Sequence, residues 1–352
     1  MNLCRPHAEA LFAQSQDAES IAVLSCVMGT LAGLFASARG NYLQAIQLNE
    51  QVLRVCSRFQ SDEHLFTLNA MLKLAASLRR QGNNLSKARQ LEEQALRLRR
   101  GLLGEEHPDT LLTMGNLALT LRAQGDLTAA RNLQVRVLDI TKRLLGEEHP
   151  HTLTAINNVA LTMRELGDYK AAEEMHAQEL AICARVLGDE HQETLTSMNN
   201  LAEVLRIQGG LDPAQQLQEH ILKIQKRTFP ENHPQILTSM NNLAATFATQ
   251  GNLTAARGMQ EHVLEAMKDN LGEEHPDTLT SMSNLAATLF QLGNSAAALA
   301  LFHNCLAGRR KVLGENHPNT IATAEWIQHI KSQPGPRSGF LRRISSLWSS
   351  SK

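Results

Sequence analysis

HPDTLLTMGNLALTLRAQGDLTAARNLQVRVLDITKRLLGEE, residues 107–148, is followed at once by HPHTLTAINNVALTMRELGDYKAAEEMHAQELAICARVLGDE, residues 149–190. Set one above the other, the two stretches keep step from end to end. The histidine that opens them returns at His107, His149, His191, His233, His275 and His317, always 42 residues apart and always with an acid two positions before it. A further copy, His64, lies 43 residues upstream of His107. Glycines keep the same beat at Gly82, Gly125, Gly167, Gly209, Gly251 and Gly293. Self-similarity at a fixed period of this length marks a stack of repeated supersecondary units, each packed on its neighbours.

Within the first stretch, Leu111, Met114, Leu117, Ala118 and Leu121 fall on one face of a helix. The matching positions of the second hold Leu153, Ile156, Val159, Ala160 and Met163. Gly125 is suited to end this helix in a left-handed cap. The spacing then predicts a second helix over Leu127–Leu145, with Ala129 and Ala130 small enough to let two helices approach. Gly146 stops it, and Pro150 opens the next unit at the first helical position, where its missing N–H costs nothing. Flanking acids suit the positive end of that helix. Each unit is a helical hairpin.

This plan fills residues 21–331: a degenerate first repeat, six clear repeats from His64, and a closing helix from Asn319 to Lys331 that carries Trp326. Ile21 to Ala38 is uncharged, but Ser, Thr, Gly and Ala dilute it and acids precede it, unlike a signal peptide. Gly40-Asn41-Tyr42 after it matches Gly167-Asp168-Tyr169, so it reads as the first repeat. Residues 1–20 form an N-terminal segment. The extra residue between the first two clear units falls in the turn Gly82-Asn83-Asn84-Leu85.

The chain has 352 residues, of which 43% are hydrophobic and only 4% aromatic, so its core is built of Leu, Ala and Met. The net charge of -1 offers no field for nucleic acid. Five scattered cysteines without a CxxC pair read as reduced thiols in a cytoplasmic setting.

The small-residue positions, the glycine turn and the paired helices resemble tetratricopeptide repeats. The 42-residue period and the motif LGEEHPDTLTSMNNLA, assembled from Leu271–Thr280 and Ser239–Ala244, resemble the kinesin light chain type. The resemblance implies an all-α solenoid wound as a right-handed superhelix, whose first helices line a concave groove for partner peptides. It implies cargo-peptide contacts at the position nine after the histidine: Asn116, Asn158, Asn200, Asn242 and Asn284.

On a helical wheel that position points away from the core face. Asparagine is a mediocre helix former, so five in register need a reason. One is a row of amides that grips a peptide backbone, with Asn157, Asn199 and Asn241 assisting. The other is bonding between adjacent hairpins. A second column, Arg79, Arg122, Arg164 and Arg206, gives way to Ala248 and Phe290. It points to an acidic partner segment, since guanidinium pairs with carboxylate in a bidentate fork, or to pairing with Glu165 or Glu203 across units.

The loop histidines lie too far apart to converge on one ion, so capping is expected and a metal is not. His176, His220, His262 and His303 read as surface or packing residues. No catalytic constellation and no cofactor motif appears. In the tail, residues 332–352, Phe340, Leu341, Ile344, Leu347 and Trp348 share one face with Arg342 and Arg343 opposite. That is a basic amphipathic segment able to touch a membrane or a partner, or a disordered terminus, with Ser345 a candidate phosphorylation site. The expected function is a non-catalytic protein-interaction scaffold. The alternatives are a kinesin light chain-like cargo adaptor and a regulatory subunit recruited through its tail.

Overall fold

The structure, a computed structural model, describes residues 29, 31–37, 39–59, 64–82 and 84–332. Asn83 of the lengthened turn and the tail from 333 on, Ser345 included, lie outside the described residues. Helices account for the regular structure, and no strand occurs among the described residues. Two compact units divide the chain after Gln124, and each is considered by itself.

In the first unit a helical stretch over 31–37 turns at Gly40 (φ 73°) into α1 (Tyr42–Phe59). Then come α2 (Leu65–Gln81), α3 (Leu85–Leu103) and α4 (Pro108–Ala123). The second unit holds α5 (Leu127–Leu145), α6 (Pro150–Glu165), α7 (Tyr169–Leu187), α8 (Gln192–Gln208) and α9 (Leu211–Thr228). It continues with α10 (Pro234–Thr249), α11 (Leu253–Leu271), α12 (Pro276–Gln291), α13 (Ser295–Val312) and α14 (Pro318–Ser332). Successive helices pack on one another within each unit, the signature of an α-solenoid.

Two columns of alanine let the helices close up. Ala118, Ala160, Ala202, Ala244 and Ala286 on the first helices are fully buried. So are Ala88, Ala130, Ala172, Ala214, Ala256 and Ala298 on the second helices. Larger side chains fill the space between. Leu153, Ile156 and Val159 of α6 meet Leu138 of α5 and Ile182 and Cys183 of α7. Each such aliphatic side chain contributes roughly 1.5–3 kcal/mol of transfer free energy. At the C-terminal end, Phe302 of α13 stacks on Trp326 of α14 with centroids 5.4 Å apart, and Phe290 meets the same ring edge-on. Trp326 thereby closes the last apolar layer, with Ile327 and Ile330.

The turns use two glycine series in two conformations. Gly82 and Gly209 end their helices near φ 76°, ψ −6° and φ 93°, ψ 3°, the left-handed cap. Gly104, Gly146, Gly188 and Gly272 sit near φ 85–91° with ψ between 162° and 168°. That second region is closed to any residue with a β-carbon except at a cost in strain. Here the chain leaves the second helix and reaches the next histidine through a turn, in which the N–H of His191 and of His275 donates to the carbonyl of Gly188 and of Gly272.

Each histidine then caps the first helix of its repeat. Nδ1 of His64, His107, His149, His191, His233, His275 and His317 accepts a hydrogen bond from the backbone N–H two residues on, at 3.1–3.3 Å. A threonine whose role the sequence alone does not disclose completes the joint. Thr110, Thr152 and Thr194, three after the histidine and fully buried, donate to the carbonyls of Gly104, Gly146 and Gly188 at 2.7–2.8 Å. The threonine thus ties the start of one helix to the end of the one before. Among the described residues no helix is long and apolar enough to cross a membrane.

Candidate functional site

The asparagine series does not stand clear of the packing, as the helical wheel suggests. Asn200 and Asn284 are buried, as is Asn241, while Asn116, Asn157, Asn158, Asn199 and Asn242 are half-buried. The reason lies in the stacking: a first helix has neighbours on both flanks as well as beneath it, so the face opposite its own core is narrow. Within the second unit the amides bond from hairpin to hairpin. Asn200 Nδ2 donates to Asn157 Oδ1 at 2.9 Å, and Asn242 Nδ2 donates to Asn199 Oδ1 at 2.9 Å. The position nine after the histidine therefore leans on the preceding repeat, and its neighbour at eight leans on the next one. Asn158 forms no side-chain hydrogen bond with the described residues.

The arginine column is likewise not one uniform surface. In the first unit Arg79 pairs with Glu92 at 3.1 Å and donates to the Asn116 carbonyl (3.3 Å) and the Thr120 hydroxyl (3.2 Å). Glu92 is fully buried, and burial pushes its carboxyl above the usual range against the opposing hydrogen bond from Thr120 and the charge of Arg79. In the second unit Arg206 is almost wholly buried and forks onto Glu203 of its own helix at 2.7 and 2.9 Å. It also reaches Thr249 at 3.3 Å. Arg206 does use Glu203, but within α8 rather than across units. Neither guanidinium faces outward for a ligand. Arg122 is half-buried and engaged as well.

Arg164 differs. It is half-buried, and no described residue pairs with it or accepts a hydrogen bond from it. Repeat arithmetic explains why. The place of Glu92 beneath Arg79 is taken beneath Arg164 by His176, and the place of Thr120 by Val204. The place of Glu203 beside Arg206 is taken by Leu161. The two carboxylates and the hydroxyl that serve the sister arginines are thus replaced at Arg164 by an imidazole and two aliphatic side chains. His176 is fully buried and turns its Nδ1 to Glu179 Oε2 at 3.1 Å. The slot it occupies is polar and buried in one second helix after another, as Glu92, Gln134, His176, Gln218 and Gln260, a column the sequence displays but whose burial only packing reveals.

Among the described residues no three His, Cys, Asp or Glu side chains converge as a metal ion would require. Cys183 is buried beside Glu179 and Glu193, and desolvation with those charges pushes its thiol up to about 11, away from nucleophilic chemistry.

The tetratricopeptide repeat family model matches residues 23–101, 84–142, 109–183, 155–227, 203–269, 235–302 and 277–325. The chain belongs to the tetratricopeptide repeat family. No curated protein matches this tetratricopeptide repeat chain. Among solved structures it is similar to a Podosopora anserina protein of kinesin light chain type with nearly identical TPR-like repeats. That likeness has 28% identity and a TM-score of 0.51, and covers 58% of this chain and 95% of the other. BtubC (BKLC) from P. vanneervenii aligns at 19% identity over 64% of this chain and 91% of its own, with a TM-score of 0.53. Aspartyl phosphate phosphatase F from Bacillus subtilis shares the fold at 12% identity, with 85% and 74% covered and a TM-score of 0.61. The repeats are of the kinesin light chain-like type, and the architecture is that of a protein-interaction scaffold.

Proposed function

We propose that this tetratricopeptide repeat scaffold, non-catalytic and cytoplasmic, holds a partner's peptide segment against α6 and α8 of the second unit, with Arg164 taking a carboxylate of that segment. The observation that carries this reading is the missing counter-charge. Arg79 and Arg206 each have a carboxylate, Arg164 has none, and a partly desolvated guanidinium gains most from a bidentate anion. Asn158, whose amide has no internal bond, supplies a donor and an acceptor for peptide backbone on the same helix. Asn157, Asn199, Asn200 and Asn242 serve first as rungs between hairpins and second as the groove wall. A Rap protein of this fold has been solved complexed with Competence and Sporulation Factor, which supports ligand capture as a use of such a scaffold.

The test is selection of peptides from a random display library on the intact chain. Enriched sequences carry Asp or Glu at one fixed position, and Arg164→Ala loses them at least tenfold while far-ultraviolet circular dichroism stays unchanged. Selected peptides that bind Arg164→Ala as tightly as the parent would overturn the reading. A second reading, a cargo adaptor working with a kinesin motor, draws on the repeat type and the 28% identity to the Podosopora anserina protein. Co-sedimentation with a kinesin heavy chain on microtubules supports it, and failure to co-sediment removes it.

A further inference from the structure

We propose that the second unit carries a further subsite between α10 and α12, where Asn241 and Asn284 take the side-chain carboxamide of an Asn or Gln on the partner segment. This rests on the reading of Arg164 given above and adds a specificity that a lone guanidinium does not supply. Between α6, α8 and α10 the amides close two rungs, Asn200 onto Asn157 and Asn242 onto Asn199, each at 2.9 Å. Asn241 and Asn284 hold the matching pair of positions one repeat further on. Both are more than nine-tenths buried, yet neither side chain forms a hydrogen bond with the described residues. Asn241 Oδ1, the counterpart of the acceptor in both closed rungs, is shut away from solvent without a donor.

Nearby groups do not supply that donor. One turn before, the hydroxyls of Thr238 and Thr280 donate to the carbonyls of Pro234 and Pro276 at 2.9 and 3.0 Å. One turn after, Ala245 and Ala287 end at the β-carbon where α6 and α8 carry Leu161 and Glu203. A buried amide oxygen without a donor gains most from a ligand that brings one. A carboxamide does so and is matched on both sides: its N–H donates to Asn241 Oδ1, and its carbonyl accepts from Asn284 Nδ2.

The surroundings favour a neutral group. α10 contains no charged residue, and α12 has only Asp277, in its first turn beside His275. A carboxylate or an ammonium between these helices would be desolvated with no counter-charge next to it. The subsite also fixes where the amide falls along the partner. From Arg164 on α6, past α8 and α10, to the gap before α12 is roughly 20–25 Å at ~8–10 Å per packed helix. An extended chain covers that in about six to eight residues.

The test is selection from a display library of random linear peptides long enough to reach both subsites, on the intact chain and on Asn241→Leu. Leucine is close to asparagine in size and removes an oxygen that has no internal partner, so the variant keeps the parent's melting midpoint. On the parent, enriched sequences carry Asn or Gln about six to eight residues from the acidic position. Changing that residue to Leu or Asp lowers affinity about tenfold or more. On Asn241→Leu the preference disappears and the same peptide change has little effect, the coupling that a shared contact requires. If the variant loses stability, the peptide series on the parent carries the test by itself. An acidic position without an amide position at that spacing overturns the subsite and leaves the role of Arg164 standing. An amide requirement that survives Asn241→Leu overturns it too, because the amide is then read elsewhere. Amide selection that persists with no acidic position and no loss on Arg164→Ala upholds the subsite and removes the reading of Arg164. A library that yields no enriched peptide sinks both.

Discussion

The inner seam of the second unit and its outer edge are equally periodic in sequence, yet packing gives them opposite weights. On the seam, the Asn157–Asn200 and Asn199–Asn242 rungs and the Arg206–Glu203 fork lie between helices, with Arg206 almost wholly buried. On the edge, Arg185–Glu148, Arg227–Glu190 and Lys311–Glu274 repeat at a constant offset with distances of 2.6–2.8 Å, shorter than the rungs. Every side chain in those edge pairs is more than half exposed. Water and salt take most of the energy out of an exposed ion pair, whereas a buried one cannot lose a partner without stranding a charge. Distance alone ranks the two regions the wrong way round.

The largest break in that comparison is Arg206→Ala. It leaves Glu203 against α8 without its fork, and about 3 kcal/mol should be lost in urea unfolding monitored by circular dichroism. Arg206→Lys should recover less than half, because an ammonium cannot span both oxygens. Next comes a test of the turns. Gly188→Asn and Gly209→Asn make the same change at positive φ, and an added β-carbon meets nothing within 4 Å at either site. Asparagine tolerates the left-handed cap at Gly209 but not ψ 163° at Gly188. The first variant should lose about 1–3 kcal/mol and the second well under 1. Equal losses would show that backbone conformation does not distinguish the two series.

These contrasts also mark how far the sequence carries. The repeat, the paired helices, the glycine stops and the proline starts are visible because each depends on local chemistry that recurs at a fixed spacing. The cap histidines are visible for the same reason. Burial on the flanks of a helix is different. A wheel drawn for α6 alone puts Asn158 opposite the core, but the stacked neighbour decides that Asn200 is buried and bonded to Asn157. Likewise, all four arginines look alike in a column. Only the identities of His176, Val204 and Leu161, read at positions fixed by the pairing of Arg79 and Arg206, single out Arg164. The proposed acidic segment of a partner rests on such absences, which no periodicity displays.

The closing helix offers a smaller and more local effect. His317 caps α14 with Nδ1 to the Asn319 N–H at 3.1 Å, and burial together with the charge of Arg309 lowers its pKa to about 4. Since the folded value lies below the unfolded one of about 6.5, its contribution is complete above pH 6.5 and disappears as pH falls towards 4. Trp326, packed on Phe302, reports the event. Its emission should shift to the red over that interval, and His317→Asn should flatten the response. Behind that cap, Arg309 is buried and bonds the Asn319 carbonyl and the Thr323 hydroxyl, while Met267 fills the same slot one repeat earlier. Replacing a buried charge with an apolar side chain of similar length is often neutral. Arg309→Met should therefore stay within about 1 kcal/mol of the parent, provided Thr323 keeps its bond to Asn319.

The smallest effect belongs to the outer edge, and it is the sharpest check on the opening comparison. Arg185 and Glu148 sit 2.8 Å apart, but their side chains are 62% and 54% exposed. A double-mutant cycle on Arg185→Ala and Glu148→Ala should give a coupling of no more than about 0.5 kcal/mol at low ionic strength. At 1 M salt, where screening acts over roughly 3 Å, it should vanish. The same cycle on Arg206 and Glu203 should keep most of its coupling in that salt, because the guanidinium is almost wholly buried and the carboxylate is only 16% exposed. If the edge pair held its coupling at high salt, the ion pairs between repeats would be structural on both faces. The distinction between a seam that holds the hairpins and an edge that only decorates them would then fail.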